Sequence, residues 1–150
     1  MKEIEHKYLV HHEIWKDVDK GDPELIVQGY LHSTEECTVR VRITGSKGYL
    51  TIKGETIGIT RPEFEYEIPI SEANEIIDLF VKKVIRKKRY KITHEGLIWE
   101  VDVFEGKLEG LIVAELEVES ENTIFNTPHW VSRNVSNNPA YYNAILIEKC

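Results

Sequence analysis

A mainly β, α+β domain built from antiparallel hairpins is the fold class that the sequence predicts, on three observations. Eight segments alternate apolar and polar residues, turn formers such as Gly45-Ser46, Gly96 and Gly106 separate them, and only one long stretch repeats its apolar residues at helical spacing. The 150 residues, 41% hydrophobic and 9% aromatic, suit one domain with a real core, so residues 1–150 are read as a single domain. No internal repeat, low-complexity tract or long linker interrupts them.

The predicted strands are 2–10, 25–32, 37–44, 48–54, 61–69, 86–94, 97–104 and 111–119, and the hairpins joining them imply antiparallel pairing. A weaker helix is expected over 11–18, where Ile14, Trp15 and Val18 cluster. Between the fifth and sixth strands, Ala73, Ile76, Ile77, Phe80, Val81 and Val84 form one apolar helical face, with Ser71 as its N-cap. Thr127-Pro128 and Asn138-Pro139 each read as a cap followed by proline at the first helical position, predicting final helices over 128–135 and 139–148.

Strand parity gives almost every segment an apolar and an ionic face. Val39, Val41 and Ile43 oppose Thr38, Arg40 and Arg42; Phe64, Tyr66 and Ile68 oppose Glu63, Glu65 and Glu67; Leu97, Trp99, Val101 and Val103 oppose Glu100 and Asp102. The opening MKEIEHKYLV puts Glu3, Glu5 and Lys7 on one face, and Glu115, Glu117 and Glu119 repeat the pattern near the end. An open sheet with its charges in water and a barrel with its charges inside are both compatible with this alternation. In the barrel, helices cover the apolar outer face and the lumen is polar.

The net charge of −7 argues against a nucleic-acid footprint, while leaving room for a small polyanion in a local basic cluster. No apolar stretch has the length of a membrane span or the form of a signal peptide, and Cys37 and Cys150 lack metal or framework spacing. A cytoplasmic protein with free thiols is expected, with no nucleic-acid or membrane partner. A homodimer is left open. Arg86-Lys87-Lys88-Arg89 resembles a basic patch, but on a strand Lys87 and Arg89 turn inward and Arg86 and Lys88 outward. His11-His12 and His32 read as surface residues and Trp15, Trp99 and Trp130 as core.

If the charged faces converge, Lys7, Arg40, Arg42, Lys53, Lys87 and Arg89 meet Glu3, Glu5, Glu63, Glu65, Asp102, Glu115 and Glu117. Arginine forks and lysine ammoniums suit phosphate oxygens. Carboxylates without histidine or cysteine beside them suit magnesium or manganese. Together they describe a metal-bound polyphosphate site.

At this point the chain resembles a known family. Glu3-x-Glu5-x-Lys7 is similar to the signature of the CYTH superfamily, the triphosphate tunnel metalloenzymes. The likeness to its bacterial single-domain members continues through Gln28-Gly29-Tyr30-Leu31, Thr38-Val39-Arg40-Val41-Arg42, Leu50-Thr51-Ile52-Lys53-Gly54 and Arg61 with Glu63-Phe64-Glu65-Tyr66. It extends over Arg89-Tyr90, Trp99-Glu100-Val101-Asp102 with Phe104, Ala114-Glu115-Leu116-Glu117 and Tyr142-Asn143-Ala144.

The resemblance implies a closed eight-stranded antiparallel β-barrel tunnel with flanking helices, a small-molecule triphosphate substrate and a divalent cation, Mg²⁺ or Mn²⁺. It implies metal binding by Glu3, Glu5, Asp102, Glu115 and Glu117, and phosphate binding by Lys7, Arg40, Arg42, Lys53, Lys87 and Arg89. Glu63 and Glu65 would line the tunnel. One metal is expected at Glu3 and Glu5, a second near Asp102 and Glu117. Lys7 is the expected proton acceptor for the attacking water, its pKa lowered by Arg40 and Arg42, with Tyr30 sharing the task through a hydrogen bond. The expected activity is hydrolysis of inorganic triphosphate, then of nucleoside triphosphates. The alternatives are an adenylate cyclase, a thiamine triphosphatase and a non-catalytic polyphosphate-binding module. One departure is visible: relatives close with Trp-x-Gly-x-Glu-Val-Thr, whereas Ser132 and Asn134 stand here in Trp130-Val131-Ser132-Arg133-Asn134-Val135-Ser136. The missing carboxylate is expected at one end of the tunnel.

Overall fold

Alternation along the chain becomes a polar inside and an apolar outside. The computed structural model describes residues 1–150. Its first eight strands are β1 (Lys2–Val10), β2 (Glu24–Ser33), β3 (Cys37–Thr44), β4 (Lys47–Gly54), β5 (Thr60–Ile68), β6 (Ile85–His94), β7 (Leu97–Phe104) and β8 (Ile112–Glu117). They pair antiparallel in the order β5-β4-β3-β2-β6-β7-β8-β1, and Lys2–Ile4 pairs with Thr60–Pro62 to join β1 to β5. The barrel of eight antiparallel strands is closed, as the resemblance implied.

The closing seam is short. Beyond residue 4, β1 leaves β5, and the edge it exposes is taken by a ninth strand, β9 (Val131–Asn134), which pairs Asn134 with Tyr8 and Val131 with Val10. A helix expected over 128–135 is therefore replaced by a turn and a strand. Its backbone finds partners on β1 and just past its end that a proline-capped helix would have left open: the His11 N–H donates to Trp130 O at 2.8 Å and the Val135 N–H to Lys7 O at 2.8 Å.

The main apolar core lies outside the barrel wall. Tyr8, Trp99, Val101, Ala114 and Leu116 face outward and are covered by Trp15, Val118, Trp130 and Val131. Trp130 meets Trp15 and Trp99 edge-on at 5.4 and 5.9 Å, an arrangement aromatic rings favour. The helix expected over 11–18 shortens to one turn, α1 (His12–Trp15), which is enough to seat Trp15.

Across β2, β3 and β4 lies α2 (Ile70–Phe80), shorter than the run to Val84 suggested. It follows Pro69 rather than taking Ser71 as its cap, and it ends where Val81 turns extended. Ala73 is fully buried beneath it against Gly48, where a Cβ would stand 2.6 Å from the Ala73 Cβ.

A second apolar cluster fills one end of the barrel from within. Ile85, Phe104 and Val113 point inward there and meet Leu108, Leu146 and Ile147. The C-terminal helix expected over 139–148 is broken into a 3₁₀ turn at Pro139–Tyr141, α3 (Asn143–Leu146) and a last turn at Ile147–Lys149. Breaking it lets Leu146 and Ile147 turn into that end of the lumen. No helix is long and apolar enough to cross a membrane, and both cysteines are free.

Candidate active site

Register decides which charges meet. Inside the barrel lies a cavity of about 720 Å³ whose 27 lining residues include only four hydrophobic ones, so its occupant must be charged or strongly polar. Twelve residues expected in the site line it: Glu3, Glu5, Lys7, Tyr30, Arg40, Arg42, Lys53, Glu63, Glu65, Arg89, Glu115 and Glu117.

At the barrel seam, Glu3 sits opposite Arg61. Lys53 Nζ approaches both Glu3 oxygens at 3.0 and 3.1 Å and Glu63 Oε2 at 3.2 Å, while Arg61 Nε lies 3.1 Å from Glu3 Oε1. Burial alone would raise the Glu3 carboxyl, but Lys53 and Arg61 bring it down to about 2. Arg61 had no role in the expected site, although its parity matches that of Glu63 and Glu65.

Across the lumen, Lys7 pairs with Glu115 at 3.1 Å, and Arg89 reaches Glu115 at 3.0 Å and Glu100 at 3.2 Å. Arg89 also grips Asp102 with two bonds of 2.7 and 2.8 Å. The second side of Asp102 is taken by Lys87 at 2.7 Å, whose ammonium also donates to Asn143 Oδ1 at 2.9 Å. Lys87 and Asp102 are 0% and 1% exposed and do not line the cavity. Both side chains share the inward parity of Arg89 and Glu100 and are covered on that side by Arg89 and Asn143. Burial opposes the charge on Asp102 and Glu115, yet the surrounding cations hold both carboxyls below their usual range.

The lowering expected of Lys7 is reversed. Burial would lower Lys7, but Glu115 and Glu5 overcome it and hold the ammonium above its ordinary value. Lys7 is a charged donor, its Nζ also 3.3 Å from Tyr141 O. Nor does Tyr30 hydrogen-bond Lys7: its hydroxyl accepts from Gln28 Nε2 at 3.3 Å. The carboxylates beside Lys7 outweigh the more distant arginines.

Three charged groups of the expected site, Arg42, Glu5 and Glu117, are left without a salt-bridge partner. Arg42 donates from Nε to Gln28 Oε1 at 2.8 Å and has no carboxylate partner; burial, with Arg40 and Arg89 nearby, lowers it to about 9. Arg40 beside it donates to Thr51 at 3.1 Å and reaches Glu65 at 3.5 Å, and Thr51 in turn donates to Glu65 at 2.9 Å. On the opposite side Glu5 pairs with no cation. Burial, Glu115 and Glu3 push its carboxyl well above the usual range, and Glu117, its cross-strand neighbour, is also raised by burial and by other acids. The lumen thus has an anion-seeking wall and a cation-seeking wall.

A family model described as the CYTH domain matches residues 1–144. The chain belongs to the CYTH family. It is 47% identical over 148 residues to the inorganic triphosphatase of Acetivibrio thermocellus, covering 98% of this chain and 94% of that one. The inorganic triphosphatase of Nitrosomonas europaea is 31% identical, with 97% of both chains covered. A solved inorganic triphosphatase structure superimposes with a TM-score of 0.66 at 29% identity over 96% of each chain.

The departure of this CYTH chain at Ser132 and Asn134 falls outside the lumen. Asn134 is exposed on β9 beside outward-facing Tyr8, and its Oδ1 accepts from the Ser136 N–H at 2.9 Å. Losing a carboxylate there leaves the cavity's charge unchanged. Ser136 has its own part, missed in the sequence: its hydroxyl accepts from the Lys7 N–H at 2.9 Å and steadies β1 behind the site.

No three acidic, histidine or cysteine side chains are grouped as a ready metal cage. The donor set nevertheless fits a hard divalent cation, because Glu5 is an oxygen donor without a counter-ion among Glu3, Glu115 and Glu117. Magnesium is commonly held by one or two carboxylates with substrate phosphates completing its shell.

Proposed function

We propose that this CYTH protein is a metal-dependent triphosphatase, acting on inorganic triphosphate first and nucleoside triphosphates second, with residues 1–150 working as one cytoplasmic domain. The observation that carries this reading is the divided lumen: Arg42 and Arg40 lack full counter-charge on one wall, and Glu5 lacks any on the other. A polyanion supplies the missing negative charge to the first, and a divalent cation the missing positive charge to the second. The two CYTH relatives described as inorganic triphosphatases support the same substrate.

In this mechanism Arg40 and Arg42 bind phosphate oxygens at one end of the substrate, and Lys7, Lys53 and Arg61 face the chain from the seam side. Glu5, aided by Glu3, Glu115 and Glu117, would hold Mg²⁺ or Mn²⁺. When bound, that ion neutralises phosphate oxygens and lowers the cost of charge developing on the leaving group. Water attacks the terminal phosphorus in line, the P–O bond to the leaving pyrophosphate breaks, and orthophosphate and pyrophosphate are released. Because such transition states are loose, positioned charge matters more than a strong base. Lys7 accordingly acts as a fixed ammonium donor to a phosphate oxygen.

The test is phosphate release from inorganic triphosphate, ATP and thiamine triphosphate, with Mg²⁺ or Mn²⁺ and with cyclic AMP followed in parallel. Metal-dependent release, fastest on inorganic triphosphate, is the expected result. Cyclic AMP without phosphate release would instead identify a cyclase, preference for thiamine triphosphate a thiamine triphosphatase, and binding without turnover a polyphosphate-binding module.

A further inference from the structure

Every cation of the lumen except one has a carboxylate partner. Lys7 has Glu115, Lys53 has Glu3 and Glu63, Arg61 has Glu3, Lys87 has Asp102, Arg89 has three acids and Arg40 has Glu65. Arg42 has Gln28, a neutral amide. Gln28 is 0% exposed and lies directly across the β2–β3 ladder from Arg42. An arginine Nε only donates, so the amide oxygen must face it, and the amide nitrogen is then left to donate to Tyr30. Arg42 lines the cavity, and no protein side chain takes its terminal nitrogens.

We propose that Gln28 is a positioning residue for polyphosphate affinity: it fixes the Arg42 guanidinium through Nε with an uncharged acceptor, so that the terminal nitrogens meet the substrate with their charge uncancelled. This rests on the triphosphatase reading for its substrate, and on geometry for the rest. A glutamate at this position would offer the same oxygen in the same place and would satisfy the buried guanidinium better. It would also neutralise the one cation the lumen keeps free. A neutral partner leaves the protein with an undercompensated buried charge and gives the ligand a stronger counterpart.

The experiment separates these roles through Gln28→Glu, which retains the acceptor for Arg42 Nε, adds a negative charge and leaves the Tyr30 hydroxyl to donate to the carboxylate in place of accepting from the amide. Inorganic triphosphate is titrated calorimetrically into the full-length wild type and the variant, with and without Mg²⁺, beside thermal melts and steady-state kinetics. The expected result is triphosphate binding weaker by roughly tenfold or more in Gln28→Glu, with Tm equal to or above that of the wild type and KM rising more than kcat falls. A purely structural role predicts a folded Gln28→Glu protein that binds triphosphate as the wild type does, and that result overturns the proposal. If Gln28→Glu fails to fold, Gln28→Met decides: it keeps Arg42 charged but removes the acceptor, and unchanged triphosphate binding in that folded variant overturns the proposal, whereas weakened binding supports it. A wild type that binds triphosphate without hydrolysing it sinks the enzymatic reading while leaving the Gln28 effect on binding intact. Full wild-type turnover with unchanged binding in Gln28→Glu does the reverse.

Discussion

Glu3 and Glu5 are two positions apart on one strand face, and their surroundings give them opposite characters. Glu3 is held by Lys53 and Arg61 and helps close the barrel seam; Glu5 faces other acids and has no cation. Changing Glu3 to Gln strips a buried pair of one charge, and a loss of roughly 2–4 kcal/mol in stability is expected along with activity. Changing Glu5 to Gln removes repulsion, so Tm should stay level or rise while metal-dependent kcat/KM falls by roughly a hundredfold or more. Melts and kinetics of the two variants check this; a Glu5→Gln protein with full activity would refute the role given to that residue. The glutamates were legible as a row in the sequence, because parity alone places them on one face. Their opposite characters were not, because each depends on which strand lies alongside.

At the scale of elements, α2 shows where local pattern and tertiary contact part. Its apolar spacing continues to Val84, yet the helix stops at Phe80, leaving that side chain 66% exposed, because the chain must turn back toward β6. The seat of the helix is the contact between Gly48 and Ala73, which periodicity could not locate. Gly48→Ala inserts a methyl group where another already stands, and a cost of about 1–3 kcal/mol is expected, read as a lower denaturation midpoint with an unchanged m-value. A Gly48→Ala protein as stable as the wild type would show that α2 is free to shift away. The ninth strand makes the same point at the other side of the barrel. Thr127-Pro128 carries a helix-start signal, and the free edge of β1 overrules it.

For the whole molecule, the lumen ties stability to pH in two opposing ways. Glu3, Asp102 and Glu115 are lowered from their ordinary values, so the stability they contribute is present above those ordinary values and is lost as pH falls through their lower folded values, which for Glu3 is about 2. Glu5, Glu63 and Glu117 are raised, so what they contribute is present below their unfolded value of about 4.5 and is lost as pH rises through their higher folded values. Lys87 and Arg42, lowered by burial to about 7 and about 9, act in the opposite sense to the raised carboxyls, adding stability as pH rises above those values. The net expectation without metal is therefore a steep fall in stability on acidification below the ordinary carboxylate range of about 4. Denaturant midpoints across the acid range check it, and a midpoint that stays level there would contradict it. The sequence by itself determined the eight barrel strands, their inward and outward residues and the mixed charge of one face, since these follow from a period of two along a local stretch of chain. Lys7, Arg42, Glu5 and Glu115 could all be named from it. Only the tertiary structure decided that Arg42 faces Gln28, that Lys87 and Asp102 pair with each other in full burial, that Lys7 lies against Glu115, and that the C-terminal turns fill one end of the barrel. Each of these depends on register and closure between strands far apart in the chain, where Coulomb forces and burial act on neighbours that no local pattern specifies.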